Sequence, residues 1–451
     1  MLPVVTPEEM AAIDRAAPES VDVLVARAGK AVALRAISML GGTYGRDVVV
    51  VAGKGNNGND GRDAARRLRQ RGARVEVLDA ATVGPGERLR PCDLVIDAAY
   101  GTGFRGEYEA PDPGGALVLA VDIPSGVDGL TGHATPGAVR ADVTVTFAAL
   151  KPGLLFHPGR ELAGGVAVAD IGLDCSSATT DVVEADDVAA WLPQRPPDTH
   201  KWRSAIWIVA GSPGMSGAAT LAARGAQRGG AGYVRLSSPG ADAGAAAPVE
   251  VVRTEIPHVS WDGDVLEGLG RFKALIVGPG LGTDPATAPS VHRVVLESPV
   301  PTVVDGDGLT ALGTNVGLYT HPLTVLTPHD GEYERLMGQP PGADRIEAAR
   351  ALALAANATV VLKGATPVIA DAEGRAFLVT TGDSRLATAG TGDVLSGVIG
   401  ALLAQGVHPL RAAAAGAWLH GRASTLGPRR GLVASDLLDC LPAVFDDLEG
   451  R

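Results

Sequence analysis

Cysteine is nearly absent from this chain: there are three, Cys92, Cys175 and Cys440, far apart and without a C-x-x-C pair. That scarcity excludes a disulfide framework, gives no sign of a zinc site, and leaves the three as packing residues. Positive charge is also short, with 39 Lys and Arg against 51 Asp and Glu and a net charge of −12. Nucleic-acid binders concentrate cations, so no nucleic acid is expected as a main partner. Long apolar runs are missing too. Hydrophobic residues make up 46% of the chain, but Gly, Pro or charge interrupts them well short of the roughly 20 apolar residues a membrane helix needs. No membrane is expected as a partner. Met1 is followed by Leu-Pro-Val-Val-Thr-Pro-Glu-Glu, without the basic and apolar regions of a secretory signal, so the expected location is cytoplasmic.

Glycine, by contrast, is abundant, at 60 of 451 residues. It supplies places where backbone dipoles can approach an anionic ligand closely. The length exceeds the about 250 to 300 residues at which single cores stop growing, so two domains are expected. Residues 47–53, 73–78, 93–98, 116–123 and 143–147 read as buried strands, which implies a parallel sheet covered on both faces. Residues 20–40 read as an amphipathic helix with Ser20 as its N-cap. The polar, proline-bearing stretch 194–199 predicts a boundary, giving domains 1–195 and 196–451. Beyond it, strands at 205–210, 274–277, 302–304, 324–326 and 359–362 alternate with helices, clearest at 391–404 and 410–425. The fold class is therefore α/β: a Rossmann-like three-layer αβα domain followed by a second αβα domain. The small-residue stretch 241–247 has no evident purpose.

After the first strand comes Gly53-Lys54-Gly55-Asn56-Asn57-Gly58-Asn59-Asp60-Gly61, with a helical pattern beginning at Arg62. A strand, a glycine-rich turn and a helix start make a phosphate site, although the spacing is not G-x-G-x-x-G; a tight turn alone is the other reading. Asp97, ahead of Tyr100-Gly101-Thr102-Gly103-Phe104-Arg105-Gly106-Glu107, and Asp122, in Asp122-Ile123-Pro124-Ser125-Gly126, each place a carboxylate where the chain leaves a strand. Each alone reads as a cap; with the Asn-rich loop they make a site the better reading. In combination these motifs resemble the epimerase domain of the NAD(P)H-hydrate repair family. The resemblance implies that Asn57, Asp97 and Ser125 hold potassium, while Asn56, Asn57, Gly58, Asn59, Asp60 and Gly101 to Glu107 embrace the dinucleotide with Asp122. Asp122 and Lys151 are the acid–base candidates, since inverting a C6 hydroxyl needs proton transfers as the group leaves and returns. Lys151 also reads as a surface loop residue. Asn59 stands where the family pattern has Gly, and Asn is the residue that best tolerates an unusual φ there.

In the second half, Ala387-Thr388-Ala389-Gly390-Thr391-Gly392-Asp393 runs directly into an apolar helix. The amides of Gly390, Thr391 and Gly392 are expected to converge as an anion hole, with Asp393 beside them as a base; an acid serving the helix dipole is the alternative. Lys363-Gly364-Ala365-Thr366-Pro367, Gly278-Pro279-Gly280-Leu281-Gly282, Thr327-Pro328-His329-Asp330-Gly331-Glu332 and the turn leading to Ala218 stand at further strand ends. His329 by itself reads as a polar loop residue. Together they resemble the ribokinase-like ADP/ATP-dependent NAD(P)H-hydrate dehydratases. The resemblance implies that Ala218, Gly282, His329 and Asp393 line the hydrate site and that Lys363, Gly364, Ala365, Thr366, Pro367 and Gly392 hold the nucleotide. ADP, magnesium, the hydrates of NADH and NADPH, and a homo-oligomer follow as expectations. Lys201-Trp202-Arg203-Ser204, Ala389 and Pro367 depart from the family pattern. Two rival readings stay open: a small-molecule kinase for the second half, and a noncatalytic binding module for the first.

Overall fold

The computed structural model describes residues 1–240 and 248–450; the stretch 241–247 lies outside them. The chain divides into two compact units, Leu2–Thr180 and Asp181–Arg451, the latter with Met1.

In the first unit the strands are β1 (Leu2–Val4), β2 (Asp47–Ala52), β3 (Arg74–Asp79), β4 (Leu94–Ala98), β5 (Leu117–Val121), β6 (Val143–Phe147) and β7 (Gly165–Ala169). The helices are α1 (Pro7–Ala16), α2 (Val21–Leu40), α3 (Asn56–Gln70) and α4 (Gly159–Leu162). The sheet runs β3-β2-β4-β5-β6-β7 with every pairing parallel. Because side chains alternate along a strand, β2 sends Val48 and Val50 to the face covered by α2 and α3, and Val49 and Val51 to the other, where Leu89, Val139 and Ala141 close over them. Strand β3 is a half-exposed edge rather than a buried strand. Helix α1 carries no strong apolar stripe; Thr6 and Glu9 fix it by a reciprocal capping box. Ser20 is the N-cap of α2 without a side-chain cap bond. Cys92 and Cys175 are free and pack against apolar clusters of this unit.

The second unit begins with β8 (Thr180–Val182) and α5 (Ala185–Trp191), ahead of the proline-bearing stretch. These belong to it because Val183 N–H donates to Leu378 O (3.0 Å) and because Val183 and Val188 join its core. Then come β9 (Ala205–Val209), α6 (Ser216–Arg228), β10 (Tyr233–Ser237), β11 (Val252–Arg253), α7 (Asp262–Gly268), β12 (Ala274–Val277), α8 (Ala288–Glu297), β13 (Thr302–Val304), α9 (Asp307–Leu312) and β14 (Thr324–Leu326). The unit ends with α10 (Asp330–Met337), α11 (Arg345–Ala356), β15 (Thr359–Leu362), β16 (Val368–Ala370), β17 (Ala376–Leu378), α12 (Thr391–Ala404), α13 (Pro409–Leu426) and α14 (Ala434–Glu449). Strands β9 to β15 pair in parallel in the order β11-β10-β9-β12-β13-β14-β15, and β16 and β17 continue the sheet antiparallel beyond β15, with β8 next to β17. Helix α12 is apolar on all sides and buried from Val394 to Ala404, as a helix inside a core must be. Among the described residues, no helix is long and apolar enough to cross a membrane.

Candidate active sites

In each unit the sheet order reverses direction between two neighbouring parallel strands, β2 and β4 in the first, β9 and β12 in the second. Open α/β sheets bind ligands at the carboxyl ends of such a pair. After β2 the chain enters α3 at Asn56, six residues earlier than the apolar pattern suggests, so Asn56, Asn57, Gly58, Asn59 and Asp60 form the first helical turn. These residues carry no apolar periodicity, and the helix is set by packing. A Cβ on Gly53 would lie 1.9 Å from Ala99 O, and one on Gly58 1.9 Å from Gly53 O, so the turn fits only glycine at both places. Arg62 Nη1 locks it by donating to Gly53 O (2.7 Å). The amides of Asn56, Asn57 and Gly58 precede the first bond of the helix, Asn59 N–H to Gly55 O (3.1 Å), and lie at its positive end. Asn59 is exposed and helical, so its replacement of Gly requires no unusual φ.

A cleft of about 940 Å³ opens there, walled by Asn56, Asn57, Asp60, Gly101, Thr102, Gly103, Phe104, Arg105, Asp122 and Lys151. Gly58, Asn59, Gly106 and Glu107 are not part of its wall. Lys151 is no surface residue: it is 1% exposed, its Nζ is 2.9 Å from Asp122 Oδ1, and it donates to Thr146 Oγ1 (2.9 Å) and Phe147 O (2.9 Å). Thr146 Oγ1 donates to Asp122 Oδ1 as well (3.1 Å). Asp122 stands at φ 67°, a left-handed conformation that costs a non-glycine residue energy and is held here by these partners. Asp97 is buried; it accepts from Ser125 N–H (2.8 Å) and Ser125 Oγ (2.7 Å), and burial outweighs these bonds to push its carboxyl up to about 6. Both polar atoms of the Asn57 side chain are buried without a partner. Burial, then the charges of Asp122, Asp63 and Asp14, push Asp60 up to about 8. Met10 and Asp14 of α1 and Leu24 and Val25 of α2 complete the wall. The Thr6-Pro7-Glu8-Glu9 cap is the sequence signal that could have found α1.

In the second unit Gly390 takes φ 89° and caps α12, placing Asp393 in its first turn. The expected trio of amides is one donor short. Thr391 N–H turns back to Thr388 O (3.4 Å), as does its Oγ1 (2.9 Å), because a threonine at a helix start closes its own turn. Beside Gly392 lies an ion pair between half-buried Lys363 and buried Asp305, Nζ to Oδ1 at 3.0 Å, with Glu332 Oε2 at 3.4 Å from the same ammonium. Asp393 is pushed up to about 7 by burial first, then by Asp305, against the opposing pull of Lys363. Gly364 and Ala365 are exposed, Thr366 is buried and Pro367 half-buried. His329 is the N-cap of α10: its Nδ1 accepts from Gly331 N–H (3.0 Å) and Glu332 N–H (3.2 Å). Gly282 N–H donates to Asp307 Oδ2 (2.8 Å), and Ala218 packs close to Gly280. Asp305 and Asp307 carry no role in the sequence reading, although Asp305-Gly306-Asp307 follows β13 just as Asp97 and Asp122 stand at the ends of their strands.

A family model described as NAD(P)H-hydrate dehydratase matches residues 206–442, and one described as YjeF-related protein N-terminus matches residues 21–90 and 79–153. The bifunctional NAD(P)H-hydrate repair enzyme Nnr of Moorella thermoacetica is 37% identical over 99% of this chain and 97% of its own length. This chain belongs to the bifunctional NAD(P)H-hydrate repair enzyme family. The family member of Salinibacter ruber is 36% identical over 100% of this chain and 97% of the relative. Among solved structures, the ADP/ATP-dependent NAD(P)H-hydrate dehydratase from Bacillus subtilis, co-crystallized with ATP/Mg2+, is similar at 29% identity and a TM-score of 0.51, covering 59% of this chain and 98% of that one. A ribokinase-like superfamily protein from Enterococcus faecalis shares the fold at a TM-score of 0.53 and 22% identity, over 60% of this chain and 96% of that one. The ribokinase-like fold of the second unit and the parallel αβ fold of the first are those expected for the NAD(P)H-hydrate repair family.

Proposed function

We propose that the first unit interconverts the R and S hydrates of NADH and NADPH and that the second dehydrates the S form with ADP as phosphoryl donor. The observation that carries this reading is Asp393, a half-buried carboxyl held near neutral pKa at the glycine-rich start of α12, beside Lys363. A base of that kind suits proton removal from a hydroxyl at neutral pH. In the proposed reaction Asp393 takes the proton of the C6 hydroxyl as its oxygen attacks the terminal phosphorus of ADP, and AMP leaves. The free amides of Gly390 and Gly392 steady the phosphoryl group, and Lys363 meets the nucleotide phosphates. The C6–O bond then breaks with loss of a C5 proton, giving phosphate and the dihydronicotinamide. ADP enters as its magnesium complex, which lowers the charge repulsion met by the attacking oxygen.

In the first unit, Asp122 exchanges the proton of the C6 hydroxyl as it leaves and returns, and buried Lys151 fixes and polarises that carboxylate. Asn57, Asp97 and Ser125 fit a potassium ion: all offer hard oxygen, and the Asn57 amide is buried with nothing to bind. Bound there, the ion would offset pyrophosphate charge. The test is to incubate the purified protein with mixed hydrates, magnesium and either ADP or ATP while following the reduced-nicotinamide absorbance. Full recovery of both epimers with release of phosphate is expected. A stable phosphorylated product would instead support the small-molecule kinase reading, and recovery of the S form alone would support a noncatalytic first unit.

A further inference from the structure

Asp305 is 3% exposed and ties together the ends of three elements. It accepts from Thr327 Oγ1 after β14 (2.7 Å), from Lys363 Nζ after β15 (3.0 Å) and from Ser396 Oγ on α12 (2.6 Å). Ser396 lies one turn beyond Gly392, and its Oγ also stands 3.1 Å from Gly392 O. A Cβ placed on Gly392 would stand 3.6 Å from Lys363 Nζ and 3.9 Å from Asp305 Oδ2, so the ion pair lies directly against the main chain next to Asp393. Three donors on one buried carboxylate make a rigid joint, since each is short and only Lys363 is partly open to solvent.

We propose that Asp305 is a positioning residue for the dehydration step, holding Lys363 and the first turn of α12 in fixed relation and keeping its negative charge beside Asp393. The inference rests on Asp393 being the base. Asp305 itself stays ionised, held low by Lys363, Ser396 and Thr327 against its burial. The other groups around Asp393 are Lys363, Asp307 and Glu332, with His420 of α13, neutral at a pKa near 4, close to Lys363. Replacing Asp305 by Asn removes one negative charge while its single carbonyl oxygen can still accept from Thr327 and Lys363, leaving Ser396 to face the amide NH2. Ionisation of Asp393 then meets less repulsion and an uncompensated Lys363, so its proton affinity falls.

The experiment is the pH profile of kcat/KM for dehydration by the full-length protein, with S hydrate, ADP and magnesium. Asp305→Asn is expected to move the acid limb downward by about one pH unit and to leave epimerisation unchanged. Ser396→Ala keeps the charge but cuts the tie to α12; its acid limb is expected at the wild-type position with kcat lowered severalfold. An acid limb unmoved in Asp305→Asn, or a wild-type kcat in Ser396→Ala, overturns the proposal. If Asp305→Asn does not fold, Ser396→Ala decides. Asp393→Asn is the separating control: dehydration that survives it defeats the base assignment itself, whereas loss there with no shift in Asp305→Asn defeats only the positioning role.

Discussion

Asp122 keeps a cation, Lys151, at 2.9 Å, whereas Asp393 faces Asp305 and Glu332 with Lys363 already shared between them. The two carboxyls therefore suit different tasks, one exchanging a proton beside a fixed ammonium, the other accepting a hydroxyl proton near neutrality. Asp393→Asn is expected to lower dehydration by roughly 10² to 10⁴-fold while epimerisation persists, read by the two activities of one sample. Lys151→Met is expected to do the converse and also to destabilise the first unit, because a carboxylate that is only partly exposed loses its buried partner; a breaking cost of about 3 kcal/mol is typical of such pairs, and a denaturant melt measures it. Asp97, Asp122, Lys151, Lys363 and Asp393 are legible in the sequence because each abuts a strand end or a glycine turn. Asp14 is not, since its short helix is fixed by a capping box; Asp305 carries the same strand-end signal, but its role shows only in the contacts from Thr327, Lys363 and Ser396.

At the level of elements, the glycine turn and the helix it opens act together. Gly390 adopts φ 89°, and a Cβ there would lie 2.5 Å from Leu221 Cδ1 on α6. Gly390→Ala is thus strained by about 1–2 kcal/mol of backbone energy, and the Leu221 side chain must turn aside to admit the methyl. The expected outcome is a loss of dehydration of at least about tenfold, the effect of a small misplacement at a reacting centre, with epimerisation intact; equal kcat in the variant would contradict a role for this turn. Strands and long helices are legible because buried parallel strands are continuous apolar runs, and α12 matches its expected bounds, 391–404. The start of α3 is not legible, because Asn and Gly are poor helix formers and only the close fit of Gly53 and Gly58 against main-chain oxygens commits them. Strand β7 and the capping box of α1 likewise depend on edge pairing and side-chain bonds rather than on periodicity.

For the whole molecule, each unit carries a buried or half-buried acid whose proton affinity is raised, and this couples stability to pH. Asp60 stands at about 8 and Asp393 at about 7, both above an ordinary value of 3.8. Between 3.8 and those values the folded chain keeps protons that the unfolded chain has released, so folding stability falls as pH rises through that interval and levels off above about 8. Each retained proton is worth at most about 1.4 kcal/mol per pH unit, or roughly 3–6 °C in a unit of this size. Asp305 acts in the opposite sense: its depressed value stabilises the fold above the ordinary carboxylate range and is lost only in stronger acid. Melting temperatures are therefore expected to be higher near pH 5.5 than near pH 8.5 for both transitions. Asp60→Asn is expected to flatten that slope in the first unit alone and Asp393→Asn in the second alone, because the causes of each shift lie within its own unit. A scan in which either variant flattens both transitions, or neither, would refute the independence of the two sites.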